Sequence, residues 1–360
     1  MGSVTADANG DEKSEAADRV VVLTADEKVG KNLFPAGTRL PDRSGDGSLR
    51  ASHRVQRPVP PQSLTWKYMA DFRCQLIFLR AVVLENLWPQ LAQGVSDHSQ
   101  VFGDKDNFYE RGRRGFKPVV GMVYGSEEDA GKFGLQVRNY HKSVKGEMPG
   151  GQTYHAINPE TYYWAHVTFY ENIIRTSELL LPKPFTRAER EQIFEESKEW
   201  FSLYGVDDRA QPSNFDEFEA YFEDVLANQL VDSSLARYSV GFARAGNQLP
   251  APPMPKLAAR VLWPRISSMV RLFSIGAMEP EIRSILELEW NRKDERNFRR
   301  LCAVVRKSAP IFERLPLKYR YFSKAVEAFD REGIDPRQIT LESARVALAE
   351  ARQCGTGATP

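Results

Sequence analysis

The chain has 360 residues, of which 42% are hydrophobic and 27% charged, with a formal net charge of +1. This is globular usage with ample material for a core. The near-zero charge supplies no global field for nucleic acid, so a nucleic-acid partner is not expected. Cys74, Cys302 and Cys354 are odd in number and widely spaced. That argues against a disulfide framework or zinc ribbon and fits a reducing compartment.

Residues 1–60 are rich in Gly, Ser, Asp and Arg and run into Pro58, Pro60 and Pro61. They read as a disordered or extended arm, without the basic and apolar regions of a secretory signal. The run Cys74 to Leu84 is broken by Gln75 and Arg80 and is too short to span a bilayer. A soluble, cytoplasmic protein is the expectation.

From Ser63 a helical period begins, with Leu64, Tyr68, Phe72, Leu76, Leu79, Val83 and Leu87 on one face until Pro89. Ser126 is placed to cap a helix through His141 to Lys145, with Glu127, Glu128 and Asp129 in its first turn. Pro149, Gly150 and Gly151 mark a turn. Asn158-Pro159 opens the next helix, expected to reach Leu181. Thr186-x-x-Glu189 and Asn214-x-x-Glu217 open two more. After Pro250 to Pro255, helical patterns cover Lys256–Phe273, Pro280–Trp290, Glu295–Ser308, Leu317–Arg331 and Leu341–Arg352. No strand alternation exceeds four residues, so the class is all-α. One helical domain over 63–335 and a C-terminal helix and tail over 336–360 are expected. Lys256–Phe273 mixes Lys256, Arg260, Arg265 and Arg271 with apolar residues. It suits an ordinary bundle helix, and it also suits peripheral contact with a membrane.

Of five histidines, His141 and His166 each occupy an apolar position of a helical pattern. Phe133, Val137, His141 and Val144 share one stripe, and His166 lies among Tyr162, Tyr163, Phe169, Tyr170 and Ile173. An unpartnered buried imidazole costs roughly 1–3 kcal/mol, so each needs a carbonyl, a metal or a cofactor. No histidine has Asp or Glu three positions before it, which removes the di-iron bundle pairs. Zincin, zinc-cluster, phosphate-loop and nucleophile-elbow motifs are absent.

A haem asks for less: one axial imidazole, an apolar slot, and cations for two propionates. His141 or His166, the flanking aromatics, and Arg111, Arg113, Arg114 and Arg138 supply these types. Without Cys-x-x-Cys-His the haem would be noncovalent. Solvated arginines and carbonyl-bonded core histidines are the simpler alternative. Glu85, Asp97 and Glu110 are nearby carboxylates that read most simply as solvated.

The ordered set Asp97-His98-Ser99, Arg111-x-x-Arg114, Val123-Tyr124-Gly125-Ser126, Val137-Arg138-x-x-His141-x-x-Val144-x-Gly146, Tyr154-x-Ala156-x-Asn158-Pro159 and Trp164-x-His166-x-Thr168 resembles one known family. That family groups the latex-clearing rubber oxygenases with the farnesyl-cleaving oxygenase of mycophenolic acid biosynthesis. The resemblance implies a multi-helix domain with a globin-like core that binds haem b through iron. It implies His141 as proximal ligand, with His166 as the alternative, and Arg111 as the distal arginine. Arg138, Arg114, Trp164 and Tyr163 would hold the cofactor, and Arg111 and His166 would serve catalysis.

The activity so implied is oxygenation of an apolar alkene or isoprenoid lipid with dioxygen. Two other readings are a haem sensor or carrier without turnover, and a helical interaction protein that has lost haem. The chain has Gly115 where many relatives have threonine, and Trp88-Pro89 where many have His-Pro. A distal hydroxyl is thereby missing, and an indole is placed to narrow the pocket.

Overall fold

A computed structural model describes residues 33–41, 55–98, 116–241 and 255–354. The described residues are helical apart from one hairpin, so the fold is all-α as expected. The first helices are α1 (Leu64–Tyr68), α2 (Phe72–Gln75), α3 (Leu79–Asn86) and α4 (Pro89–His98). Residues 116–124 form α5, and α6 spans Glu127–His141. Strands β1 (Lys145–Glu147) and β2 (Thr153–His155) pair antiparallel, with Gly146 opposite Tyr154. Then come α7 (Pro159–Leu180), α8 (Arg187–Ser202), α9 (Phe215–Asp224) and α10 (Ser234–Ser239). The chain ends with α11 (Lys256–Gly276), α12 (Pro280–Ile285), α13 (Arg292–Phe312), α14 (Ser323–Glu332) and α15 (Leu341–Cys354).

α7 is the axis of this arrangement. Asn158 starts it by accepting from the backbone N–H groups of Glu160 and Thr161, and Pro159 takes the first helical position. Most of its residues are buried, because α1, α2, α3, α8 and α13 all pack against it. α8 starts from a complete capping box between Thr186 and Glu189. Midway along α8, the buried Glu196 carboxylate accepts from Leu64 N (3.0 Å), Thr65 N (2.8 Å) and Thr65 Oγ1 (2.7 Å). An acid on one helix thus satisfies the open N–H groups at the start of another. The largest apolar core among the described residues draws on residues from Val59 to Ala344, with two smaller clusters beside it.

Three expectations change. The continuous helix from Leu64 to Leu87 is broken. The Asp71 carboxylate accepts from Arg73 N at 2.8 Å and holds the Arg73 guanidinium, while Phe72 N donates to Arg320 O at 2.9 Å. These bonds turn the chain between α1 and α2 and leave Leu76 exposed. The helix expected to Lys145 stops at His141, and the chain enters the hairpin. The pattern expected to reach Trp290 ends at Ile285, where Glu287 takes a left-handed φ of 51°. Gly134 inside α6 is explained by contact, since a Cβ there would lie 2.1 Å from the Leu203 carbonyl oxygen.

Part of the N-terminal arm is packed. Leu33 and Phe34 are buried with Ala92, Met148, Tyr154 and Leu235, and Ser234 N donates to Leu33 O at 2.8 Å. Residues 1–32 and 42–54 lie outside the described residues. Among those described, no helix is long and apolar enough to cross a membrane.

Arg80, fully buried on α3, joins three helical segments. Its guanidinium pairs with Glu171 of α7, and its Nε lies 3.1 Å from the Glu279 carboxylate that precedes α12. Removing the cation leaves buried acids uncompensated. Arg80→Met is expected to cost about 3–5 kcal/mol of unfolding free energy, read as a lowered urea midpoint. A midpoint within error of wild type would contradict this.

Candidate functional site

His141 closes α6. Its Nδ1 donates to Val137 O at 2.8 Å, so the lone pair of the neutral ring sits on Nε2. The ring is half-buried and stands edge-on to Tyr162 of α7, with centroids 5.9 Å apart and planes at 87°. Tyr162 is buried, packs on Tyr204 at 5.1 Å, and its hydroxyl has no hydrogen-bond partner among the described residues. Burial pushes the phenol well above its ordinary range, and the nearby Arg138 opposes that shift. Arg138 lies three residues before His141, on the same side of α6. Its Nη1 reaches Gly205 O at 3.4 Å, and its buried Nε has no partner.

This cluster fits a haem on its donor set. An imidazole held through Nδ1–H carries its lone pair on Nε2, the tautomer of a histidine that ligates a metal through that atom. Arg138 Nε and Tyr162 Oη are buried polar atoms without partners among the described residues, of the kind that an anionic group such as a propionate satisfies. Among the described residues no group of three His, Cys, Asp or Glu gathers to hold a bare metal ion. A porphyrin needs only one side-chain ligand.

His166 lies one turn beyond Tyr162 on the same side of α7, and the two rings share Phe201 and Tyr204 as neighbours. It is 1% exposed, its Nε2 donates to Ser197 O at 3.1 Å, and Trp200, Phe201 and Tyr204 surround the ring. Burial pushes its pKa down to about 3, so the ring is neutral, and its Nδ1 has no partner. Tyr163 and Trp164 face α3 and α9. The Tyr163 hydroxyl bonds to Tyr170 at 3.0 Å, and Trp164 Nε1 donates to Leu84 O at 3.1 Å. Trp88 stacks on Trp164 at 5.5 Å and donates to Thr161 Oγ1 at 3.2 Å. The structure therefore brings His141 and Arg138 together, places His166 one turn along α7 from Tyr162, and turns Tyr163 and Trp164 toward α3 and α9. Arg111, Arg114 and Gly115 lie outside the described residues.

Sequence reasoning undervalued Glu85. Phe78, Val82 and Glu85 share a face of α3, and Ala165 and Phe169 share a face of α7. All five keep partial accessibility although Ile77, Val83, Leu84 and Val167 beside them keep none. Phe78 contacts Phe116 of α5 at 5.2 Å and Phe169 at 6.0 Å. These residues make an apolar wall beginning at Ala165, one turn from Tyr162. Glu85 is its acid. Thr168 Oγ1 donates to the carboxylate at 3.0 Å, and desolvation raises its pKa to about 7. No cation pairs with it among the described residues. Its charge is felt by Tyr204, which in turn packs on Tyr162. The period of α3 placed Glu85 on the Phe78 face, and that was the available signal. Asp97, also expected to be solvated, accepts from Tyr154 Oη at 2.6 Å.

Residues 66–307 match the family described as ER-bound oxygenase mpaB/B'/Rubber oxygenase, catalytic domain. Two relatives are an uncharacterised protein of Mycobacterium bovis and one of Mycobacterium tuberculosis. Each is 22% identical over 232 residues, covering 62% of this chain and 84% of the relative. No solved structure matches.

The Glu85 environment predicts a pH dependence. With a folded pKa of about 7 against an ordinary 4.5, the fold favours the protonated acid. Stability from this group is complete below about pH 4.5, declines as pH rises to about 7, and stays lost above that. Glu85→Gln is expected to remove the decline, gaining about 1–3 kcal/mol over wild type at pH 8 but little at pH 4. Denaturant unfolding at both pH values tests this. Equal pH slopes in the two proteins would contradict it.

Proposed function

The chain belongs to the family of mpaB and rubber oxygenase catalytic domains, and from that premise we propose that it is a haem b-dependent oxygenase using dioxygen on an apolar alkene or isoprenoid lipid. The observation that carries the reading is His141, oriented by Val137 O and flanked by the unsatisfied Arg138 Nε and Tyr162 Oη. Haem, when bound, supplies a redox-active iron able to activate dioxygen.

The chain's own residues would divide the remaining work. His141 Nε2 would ligate the iron, its ring fixed by the Nδ1–H bond to Val137. Arg138 would hold a propionate, with Arg114 as the second cation. Arg111 would supply positive charge to the reacting oxygen, as the family resemblance implies. Phe78, Val82, Ala165 and Phe169 line the apolar substrate and exclude water. Glu85 carries a proton near neutral pH at the edge of that wall. His166 would have to ligate through Nδ1 from inside an aromatic cage, so His141 is the better ligand. Tyr163 and Trp164 act by bracing α7 against α3 and α9.

Purified wild-type protein is expected to show a Soret band and a pyridine haemochrome of about one b-type haem per chain. His141→Ala should lower haem affinity by about tenfold or more, while His166→Phe retains the band. Oxygen uptake with alkene lipids separates an oxygenase from a carrier. Full haem occupancy in His141→Ala, or a colourless protein that takes up no added haemin, would overturn the proposal.

A further inference from the structure

The net charge of the whole chain is +1, yet its cations are unevenly placed. α11 carries Lys256, Arg260, Arg265 and Arg271 and no acid. α13 carries seven cations against Asp294 and Glu295. The two helices pack on each other through Phe273 and Phe298, and together they carry eleven cations and two acids. Arg271 is neutralised by Asp294 at 3.1 Å, Arg299 bonds to Glu295, and Arg306 donates to Leu179 O. Lys256, Arg260, Arg265, Arg296, Arg300 and Lys307 have no carboxylate partner among the described residues.

Large apolar side chains are exposed among these cations. On α11 they are Leu257 (75% exposed), Val261, Leu262 and Met269, and on α13 Val304 and Ile311 (69%). Lys293, Arg296, Arg300, Val304, Lys307 and Ile311 recur at spacings of three and four, which makes one solvent-facing stripe of α13. A cleft of about 630 Å³ opens at its N-terminal end, lined by Trp290, Arg292, Arg296, Arg299 and Arg300.

We infer that the face formed by α11 and α13 docks on an anionic membrane surface, with the exposed apolar side chains entering the headgroup boundary and the free cations meeting lipid phosphates and carboxylates. Charge complementarity selects this occupant. A second copy would set two cationic faces against each other. A nucleic acid would use the cations but leave Leu257, Leu262 and Ile311 without apolar partners. Mixed basic and apolar exposure on helices that cannot span a bilayer is the pattern of an interfacial helix. The benefit to the enzyme, access to a membrane-dissolved substrate, rests on the oxygenase reading. The docking does not.

Cosedimentation of the full chain with phosphatidylserine–phosphatidylcholine vesicles tests the inference without measuring turnover. Wild type should bind these vesicles, bind pure phosphatidylcholine vesicles far less, and release in high salt. Arg260→Glu with Arg265→Glu should weaken partition by about tenfold or more. Leu257→Ser with Val261→Ser should also weaken it, because apolar insertion contributes as well. Lys324→Glu on α14 is the charge control and should bind like wild type, and circular dichroism confirms that each variant is folded. Equal binding to neutral and anionic vesicles, wild-type binding by the charge-reversed variant, or binding to duplex oligonucleotide in place of vesicles would each overturn the inference. A chain that docks without oxygenating lipid keeps it and removes the oxygenase reading.

Discussion

The fold depends on a helix with almost no solvent-facing side. α7 is covered by helices from before and after it in the chain, so its polar groups need partners within the protein. Thr161 receives the Trp88 indole, Thr168 meets Glu85, Glu171 meets Arg80, and Asn172 Nδ2 donates to Cys74 O. Each partner pins a neighbouring element at a defined height along α7. The side facing α6 differs. There Tyr162 lacks a hydroxyl partner, and Ala165 and Phe169 remain partly accessible. The helix is left incomplete there, where His141 approaches it, as it is at His166 Nδ1 and Asn172 Oδ1.

Two kinds of charge surround this centre. The interior charges are directional: Arg80 holds two acids, and Glu196 gathers the N-terminus of α1. Both are fixed by hydrogen bonds that a small shift would break. Glu85 is the exception, an interior acid whose one hydrogen bond among the described residues comes from a neutral hydroxyl. Most of the outer cations on α11 and α13 lack a carboxylate partner among the described residues, and their value lies in what approaches from solution. The near-zero net charge of the chain conceals both arrangements.

Much of this was legible in the sequence. Ser126, Asn158, Thr186 and Asn214 cap the helices they were expected to cap, because side-chain capping is decided within four residues. His141 on the stripe of Phe133 and Val137 was likewise visible from spacing. The break at Asp71 was not, because it needs the carbonyl of Arg320, far away in sequence. Nor was the turning of Tyr163 and Trp164 away from His141. Both lie on α7, and which side meets α6, α8 or α9 is settled by tertiary packing. Glu85 was misread because a carboxylate in an apolar stripe is usually solvated, and only the crossing of α3 with α7 shows it enclosed.

The central claim is that this incomplete side of α7 receives an iron porphyrin held by His141. Anomalous scattering at the iron edge, from crystals of the haem-loaded protein, tests it most directly. The account predicts one iron peak within coordination distance of His141 Nε2, with Arg138 reaching a propionate. A peak beside His166, or none in contact with α6, would contradict it.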